Sequence, residues 1–458
     1  MTLLPYDGKG FSASYLSSRL CHLTPWPVAG HLASLAKSAT IFEGKAEEKL
    51  DRLRAELAPL AARYDVVVAN PPYMGSSSLN RWQGAWVKKR YPQQYRDLCT
   101  CFIERGFSLC GGDGASAMVT MQSWMFLGSY ERMRVGLLKE HSILTMAHLG
   151  TRAFSAIGGE VVSTTATVFG SAVSDVPGAY LRLVDMGSED EKRAKLLEAL
   201  ADPKCGWFYQ RDASAFEAIP GSPIAYWASD SMFRAFNNLA TLGEYATPRQ
   251  GLATTNNNRF LRKWWEISQR NTNRECRSHS SALASGSKWF PIIRGGAFRK
   301  WFGVYDEVVD WSNNDTGMKS EVLRKYPYLS TPDFVIKNQS DYFKPAVTWS
   351  KISSGVISFR YAPAGMLFEV AGACMFADDG ILCIAQALCN SSSALAALSL
   401  LAPTLNYEVG QIAIVPFAEF DERQSTEIIV KVKKLRQMSQ DDINLCETSW
   451  DFGRHPLT

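Results

Sequence analysis

The residues best suited to chemistry in this sequence are Asn70-Pro71-Pro72-Tyr73, which directly follow the apolar run Tyr64–Ala69. β-Branched residues between an acidic start and a proline predict a short, fully buried, parallel strand. The carboxyl end of that strand would deliver Asn70 into a crevice above the sheet, where open α/β sheets bind their ligands. The run therefore predicts a ligand site at Asn70.

These four residues have the properties needed to hold an exocyclic aromatic amine. Asn70 precedes a proline and is kept out of the helical region, while Pro71 and Pro72 fix their own φ, so the backbone carbonyls and the Asn70 amide oxygen are held stiffly. An amine with both protons bound to such acceptors could direct its lone pair at an electrophile, with Tyr73 stacked on the base. Such a base must first leave the duplex. The alternative is a rigid turn that merely ends a strand; the strand in front of the motif favours the functional interpretation.

The tetrapeptide is similar to motif IV of the amino-directed, adenine-specific DNA methyltransferases, and the chain resembles the PglX-type methyltransferases of BREX phage-exclusion systems. The resemblance covers nearly everything after residue 60. The segments that carry it are 70–75, 95–98, 122–126, 147–150, 158–162, 295–303 and 403–410.

This resemblance implies transfer of a methyl group from S-adenosylmethionine to the amino group of a flipped adenine in double-stranded DNA. It implies a catalytic role for Asn70, Pro71, Pro72 and Tyr73. It also implies participation in phage defence beside other BREX components. No restriction-nuclease signature, such as a paired acidic and lysine cluster beside a strand, is apparent in the sequence, so we expect modification of DNA without cleavage.

Composition describes an ordinary globular protein, since 46% of the 458 residues are hydrophobic and 21% are charged. Ten cysteines without a CxxC pair or a secretory signal indicate reduced thiols and a cytoplasmic location. The six scattered histidines show no zinc spacing, and His141 and His148 are interpreted as structural, so no metal site is predicted. We expect no contact with a membrane, because no apolar run is long enough to span one.

Alternating strand and helix patterns predict an α/β fold. We expect a partial doubly wound, Rossmann-like methyltransferase sheet followed by a mixed α+β target-recognition domain. The boundaries are an unassigned segment at 1–44, an incomplete catalytic domain at 45–223 and a DNA target-recognition domain at 224–458. The predicted helices are 45–60, 95–109, 127–140, 188–202 and 391–401. The predicted strands are 115–121, 142–148 and 161–169, and we expect the last two to form an antiparallel edge. Residues 111–114 are predicted to be a loop, and segments 346–368 and 406–416 are predicted to be β-rich.

The second half contains a basic segment. Residues 249–305 carry eleven Lys or Arg against two acidic residues, interleaved with tryptophans and phenylalanines. Phosphates attract positive charge and planar groups contact bases or sugars, so this mixture is typical of a nucleic-acid surface, although a solvated basic face with buried tryptophans gives the same pattern. The predicted DNA-binding residues are Arg259, Lys288, Arg294, Arg299, Lys300 and Trp301.

The sequence departs from the family's pattern at the loop that binds the cofactor. The family holds S-adenosylmethionine with a glycine-rich loop after a strand upstream of the motif, and no residues before Asn70 show that pattern. The glycine pairs at 158–159 and 295–296 do not follow suitable strands either. Two hypotheses follow: an enzyme whose separate amino-terminal half carries the cofactor, or a non-catalytic DNA-recognition or assembly subunit. A methyltransferase acting on protein or small molecules is a third.

Overall fold

The computed structural model describes residues 55, 58–154, 162–303, 305–353, 355–402 and 406–454. The chain divides into two compact units. The first contains the described residues up to Trp124 together with Arg132–Ala213, and the second contains Met125–Glu131 and the described residues from Ser214 onward. The predictions for segment 1–44, for most of the helix at 45–60 and for the start of the strand at 161–169 lie outside the described residues.

The first unit contains a six-stranded mixed sheet in the order β1-β2-β4-β3-β5-β6. β1 is parallel to β2 and β3 is parallel to β5, whereas β4 is antiparallel to both of its neighbours and β6 is antiparallel to β5. The carboxyl ends of β1, β2, β3 and β5 therefore lie at one end of the sheet. The strands are β1 Tyr64–Ala69, β2 Cys110–Met121, β3 Ser142–Gly150, β4 Thr164–Gly170, β5 Gly178–Arg182 and β6 Phe208–Arg211.

In the part of this unit that the structure describes after β1, the helices are α1 Arg81–Arg90, α2 Leu98–Leu109, α3 Glu131–Glu140 and α4 Glu189–Ala201. The helices predicted at 95–109, 127–140 and 188–202 are confirmed within a few residues at their ends. Helix α4 begins as its sequence predicts, since the Ser188 hydroxyl accepts a hydrogen bond from the Glu191 amide at 3.2 Å.

The strand before Asn70 is parallel, as predicted, but the expectation that it is fully buried is wrong. β1 forms an edge of the sheet among the described residues, and Val66 and Val68 are 62% and 76% exposed. β-Branched composition reports strand propensity, while burial depends on what covers the strand.

The loop predicted at residues 111–114 is also wrong, because these residues belong to β2. The register shifts between the pairs Tyr64↔Cys110 and Val66↔Ala115, so extra residues of β2 are absorbed as a bulge. A Cβ on Gly114 would lie 2.9 Å from the Tyr64 carbonyl oxygen. Glycine here marks a close approach of two backbones and not the end of a helix.

The predicted antiparallel pairing of the two closing strands is confirmed as β3 with β4. Their predicted position at the edge is wrong, because β4 lies between β2 and β3, and β5 and β6 extend the sheet beyond β3. The sequence analysis missed these last two strands, which are short and follow a stretch of mixed composition.

The second unit contains three sheets. A four-stranded sheet has the order β15-β10-β12-β9, a five-stranded sheet has the order β11-β14-β13-β16-β8, and β17 pairs with β7. The β-rich segment predicted at 346–368 is confirmed by β13 to β15. The strands are β7 Ala240–Thr241, β8 Thr247–Arg249, β9 Leu261–Lys263, β10 Trp289–Ile293, β11 Trp301–Phe302, β12 Glu307–Asp310, β13 Ala346–Trp349, β14 Phe359–Ala362, β15 Leu367–Phe368, β16 Cys374–Phe376 and β17 Pro416–Phe417.

The helix predicted at 391–401 is confirmed as α12, capped by the Ser391 hydroxyl. The β-rich segment predicted at 406–416 is wrong for most of its length, because α13 begins there in a capping box between Glu408 and Gln411. The helices of the unit are α5 Ala213–Glu217, α6 Asp230–Asn238, α7 Leu242–Tyr245, α8 Asn257–Phe260, α9 His279–Ser285, α10 Ser312–Lys325, α11 Asp379–Cys389, α12 Ser392–Leu401, α13 Val409–Ala413 and α14 Glu422–Ile443.

The core of the second unit is aromatic, with Trp311, Tyr342 and Phe343 each at most 2% exposed. In the described part of the chain, no single helix is long and apolar enough to cross a membrane. α11 and α12 reach that length and composition only as a pair, which is bent by 75°.

Candidate active site at the carboxyl end of β1

The predicted motif lies immediately after β1, at the sheet end where β2 and β3 also finish. Asn70 and Pro72 are exposed, Pro71 is buried and Tyr73 is half-buried. Ala69 pairs with Met118, which lies on β2 a few residues before its carboxyl end. The chain thus presents the Asn70 amide to solvent from a rigid proline turn, with an aromatic ring beside it.

The Tyr73 hydroxyl has two acceptors within reach. It lies 3.2 Å from the Asn70 Oδ1 and 3.3 Å from the Val119 carbonyl oxygen. A phenol has a single proton to donate, so turning it to Val119 leaves the Asn70 oxygen free to accept from a ligand. Burial is the main cause that raises the pKa of Tyr73, and the nearby Cys99 raises it further. The phenol therefore stays protonated and the ring uncharged at neutral pH.

Asp97 holds the segment that follows the motif. Its carboxylate accepts hydrogen bonds from the Met74 amide at 3.2 Å and from the Cys99 amide at 2.9 Å. The second of these bonds caps helix α2. The Leu98 amide also donates to the Met74 carbonyl at 3.0 Å. One carboxylate therefore fixes the exit of the motif to the start of a helix that packs on the sheet.

A second polar pair lies at the same end of the sheet. His148, which is 3% exposed, has its Nε2 2.8 Å from the Oε1 of Gln122, the first residue after β2. Burial, which disfavours the charged imidazolium, lowers the pKa of His148 to about 3, and the positive charges of Arg182 and Lys192 act in the same direction. The imidazole is therefore neutral at physiological pH and holds the Gln122 side chain by donating to it.

Sequence reasoning found the motif but missed these supporting residues. Asp97 carried a usable signal, since an aspartate directly before an apolar helical run is a helix start. No sequence signal indicated that Gln122 pairs with His148, because Gln122 follows β2, His148 lies on β3, and these two strands are not adjacent in the sheet.

The predicted DNA-binding residues all belong to the second unit, and each of the five cations has a partner within the chain. Arg259 pairs with Glu321 at 3.1 Å, Lys288 with Asp310 at 3.4 Å, and Arg299 with Asp442. Arg294 donates to Glu307 and Glu369, and Lys300 to the Asn390 carbonyl. Trp301 is partly buried in β11 with a φ of 74°.

The structure brings only part of that set together. Arg294 and Arg299 line one cavity of about 580 Å³, which Arg259, Lys288, Lys300 and Trp301 do not line. The excess of positive charge seen in the sequence is thus largely matched by carboxylates from other parts of the fold.

The described residues do not provide a site for S-adenosylmethionine. Among them β1 has a single neighbour, β2, so its outer edge carries no strand or glycine-rich loop that could hold a methyl donor near Asn70. Within the same residues no group of three or more His, Cys, Asp or Glu side chains could hold a metal ion.

Comparison with known proteins finds one matching family model and several similar proteins. Residues 34–154 match the family model described as Eco57I restriction-modification methylase. The adenine-specific methyltransferase PglX of Lacticaseibacillus casei (strain Zhang) is 37% identical over 401 residues, which cover 87% of this chain and 33% of that protein. The chain is similar to the PglX methyltransferases.

The adenine-specific methyltransferase BrxX of Escherichia coli O9:H4 (strain HS) is similar to the same extent, at 36% identity over 433 residues, 91% of this chain and 33% of that protein. The resemblance to PglX drawn from the sequence is confirmed. The chain spans about one third of the length of these two relatives.

A solved structure of the Type IIL restriction-modification enzyme MmeI in complex with DNA is similar in fold. It matches with a TM-score of 0.54 over 87% of this chain and 52% of that chain, at 12% identity. The predicted α/β, methyltransferase-like fold is confirmed by this likeness and by the family match.

Proposed function

We propose that this PglX-like chain is the adenine-binding and DNA-binding part of an adenine-specific DNA methyltransferase of BREX phage defence. The observation that carries the proposal is the exposed Asn70 amide at the carboxyl end of a parallel strand, beside the half-buried ring of Tyr73. The named activity of the PglX and BrxX relatives supports the same assignment.

The motif would act by holding the amine of an adenine that has left the duplex. When the Tyr73 hydroxyl donates to Val119, the Asn70 Oδ1 accepts one amino proton and a rigid backbone carbonyl of the proline turn accepts the other. The Tyr73 ring stacks on the base. With both protons engaged, the nitrogen lone pair is directed away from the purine ring and becomes nucleophilic.

The methyl donor of this reaction would be S-adenosylmethionine. Because the described residues do not fit it, we assign it to a separate segment or polypeptide that completes the sheet beyond β1, and we derive no methyl-transfer step from this chain. Exposure of Val66 and Val68 supports the assignment, since they mark where β1 lacks cover among the described residues. The DNA would lie on the second unit.

Two measurements test this function. Calorimetry with the purified chain and S-adenosylmethionine should give no measurable heat of binding; tight binding would contradict the assignment of the donor elsewhere. Mixing the chain with the remaining part of the L. casei relative and tritiated S-adenosylmethionine should label duplex DNA. Asn70→Ala should abolish the label, because no acceptor then holds the amine.

Asn80→Ala is the matched control, because it removes the same side chain from the cap of α1 in the same unit, where Asn80 accepts from the Gln83 amide at 2.9 Å. It should lower stability by about 1 kcal/mol and leave labelling intact. Undiminished labelling with Asn70→Ala, or label only in protein or RNA, would refute the proposal.

The second candidate is a non-catalytic DNA-recognition or assembly subunit, favoured by the lack of a donor site among the described residues. It predicts duplex binding with no methyl incorporation, even after the missing part of a relative is added and shown to associate.

A further inference from the structure

A cavity of about 580 Å³ in the second unit contains a buried cation that the proposed function does not use. It is lined by Arg294, Gly295, Gly296, Phe298, Arg299 and Arg360, among others. Arg360 lies on β14 and is 4% exposed. None of the sequence patterns singled it out.

Arg360 differs from the other cations of this cavity in its partners. Lys263 pairs with Asp306 at 2.8 Å, Arg294 with Glu307 at 2.9 Å, and Arg299 with Asp442. The Arg360 guanidinium has no carboxylate partner among the described residues. It donates only to the Ala297 carbonyl at 3.1 Å and the Ser350 hydroxyl at 3.0 Å, and its Nε has no partner there.

An uncompensated buried charge is costly, and burial lowers the pKa of Arg360 for that reason. Two neutral acceptors offset this cost only in part. An anion in the cavity would offset the rest, and a guanidinium is well suited to a phosphate because its donors form a planar fork.

The loop above Arg360 keeps the guanidinium accessible from the cavity. A Cβ on Gly296 would lie 3.4 Å from the Arg360 Nη1, at the near limit of ordinary van der Waals contact, so the loop backbone passes directly over the guanidinium. The loop itself is held by Ser350, whose hydroxyl accepts from the Gly296 amide at 3.0 Å. Phe298 lies on the wall of the same cavity and is 60% exposed.

We propose that this cavity binds a phosphate of the DNA backbone, with Arg360 donating to the phosphate and Phe298 contacting the adjoining sugar or base. The proposal rests on the proposed function for its choice of ligand and adds a contact that fixes the position of the duplex on the second unit. A free nucleotide presents the same chemistry, and the test separates the two sources.

The test measures the affinity of the full chain for a fluorescein-labelled DNA duplex by anisotropy over a series of salt concentrations. Arg360→Gln should weaken binding about tenfold and reduce the slope of log Kd against log salt by about one, because one phosphate contact is lost. Phe298→Ala should weaken binding and leave the slope unchanged.

Arg324→Gln is the matched control, because it removes an equal charge from an arginine whose side chain is 73% exposed and does not line this cavity. It should leave affinity and slope unchanged. Thermal unfolding checks each variant. If Arg360→Gln does not fold, Arg360→Lys decides: it keeps the charge, removes the planar fork of donors and should also weaken duplex binding.

Several results would overturn the proposal: no duplex binding by the parent chain, or a folded Arg360→Gln protein with unchanged affinity and slope. A rise in melting temperature with ATP or inorganic phosphate that requires Arg360, without any effect on duplex binding, would assign the cavity to a free phosphate compound. Loss of methylation with Asn70→Ala does not bear on these readouts, so failure of the two proposals can be told apart.

Discussion

At the scale of single residues, Asp97 joins the motif to its support, because one carboxylate binds the Met74 amide after the motif and the Cys99 amide in the first turn of α2. We predict that Asp97→Ala lowers the free energy of unfolding by about 1–2 kcal/mol and speeds hydrogen exchange at Met74. Asp97→Asn keeps an oxygen acceptor, so it should retain most of the free energy of unfolding and most of the protection from exchange at Met74. Urea unfolding and exchange measured by mass spectrometry check this.

The matched control for Asp97 is Ser188→Ala, which removes the cap of α4 in the same unit. A similar loss of stability without faster exchange at Met74 is expected there. Equal exchange at Met74 in the two alanine variants would show that Asp97 acts only as a helix cap.

His148 gives the first unit a pH dependence. Its pKa falls from 6.5 to about 3 on folding, so between these values the unfolded chain binds the proton and the folded chain does not. This contribution to stability is complete above pH 6.5 and is lost as the pH falls toward 3. The loss of stability reaches roughly 1 kcal/mol at pH 5.5.

His148→Asn should therefore lose less stability than the parent protein when the pH is lowered from 7.5 to 5.5, measured by urea unfolding at both values. Asparagine keeps a donor for Gln122 but does not titrate. An identical loss in both proteins would mean that the imidazole is not desolvated in the folded state.

The residues of the candidate site were predictable where the signal was local. Asn70-Pro71-Pro72-Tyr73 was placed correctly after a parallel strand, because prolines and β-branched residues act on their own backbone. The cations were harder to interpret. Arg259 and Arg299 looked available in the sequence, yet Glu321 and Asp442 lie far away along the chain and reach them only through the fold.

At the scale of elements, the pairing of β1 with β2 depends on a close backbone approach at Gly114. A Cβ there would lie 2.9 Å from the Tyr64 oxygen and 3.1 Å from the Asp65 oxygen, both of them backbone atoms that cannot turn away. We predict that Gly114→Ala destabilises the first unit by about 1–3 kcal/mol in thermal or urea unfolding.

Gly112→Ala is the control for this prediction, because it lies in the same strand and its added Cβ would meet nothing within 4 Å. It should change stability by less than about 0.5 kcal/mol. A similar loss in both variants would indicate a general cost of alanine in this strand instead of the contact with β1.

Capping residues mark α4 and α12, which were predicted, but also α1, α6 and α14, which were missed although Asn80, Ser229 and Asp421 cap them. Elements defined by distant pairing were not predicted. Ser188 and Ser391 start α4 and α12 through their own hydroxyls, which a sequence shows directly. The bulge at residues 111–114 and the interior position of β4 depend on which strands meet, and local composition does not encode that.

At the scale of the whole molecule, the sheet of the first unit ends at β1 among the described residues. No described strand pairs with the outer side of β1, and Val66 and Val68 are exposed beside it. An apolar edge strand of this kind is a template for pairing with another chain. Under the proposed function, the segment that carries the methyl donor would cover it.

Where no other segment covers it, this edge should pair with the same edge of a second copy of the chain. We predict that sedimentation velocity shows concentration-dependent oligomers of the parent chain. The double variant Val66→Lys, Val68→Lys should shift the population to monomer, because like charges repel across a paired edge and lysine is costly to bury there. Val173→Lys with Val176→Lys is the control, since these valines are 60% and 73% exposed in the same unit but follow β4, away from this edge. Oligomers that persist in the β1 variant, or vanish equally in the control, would place the association elsewhere and remove the support that β1 gives to a separate cofactor half.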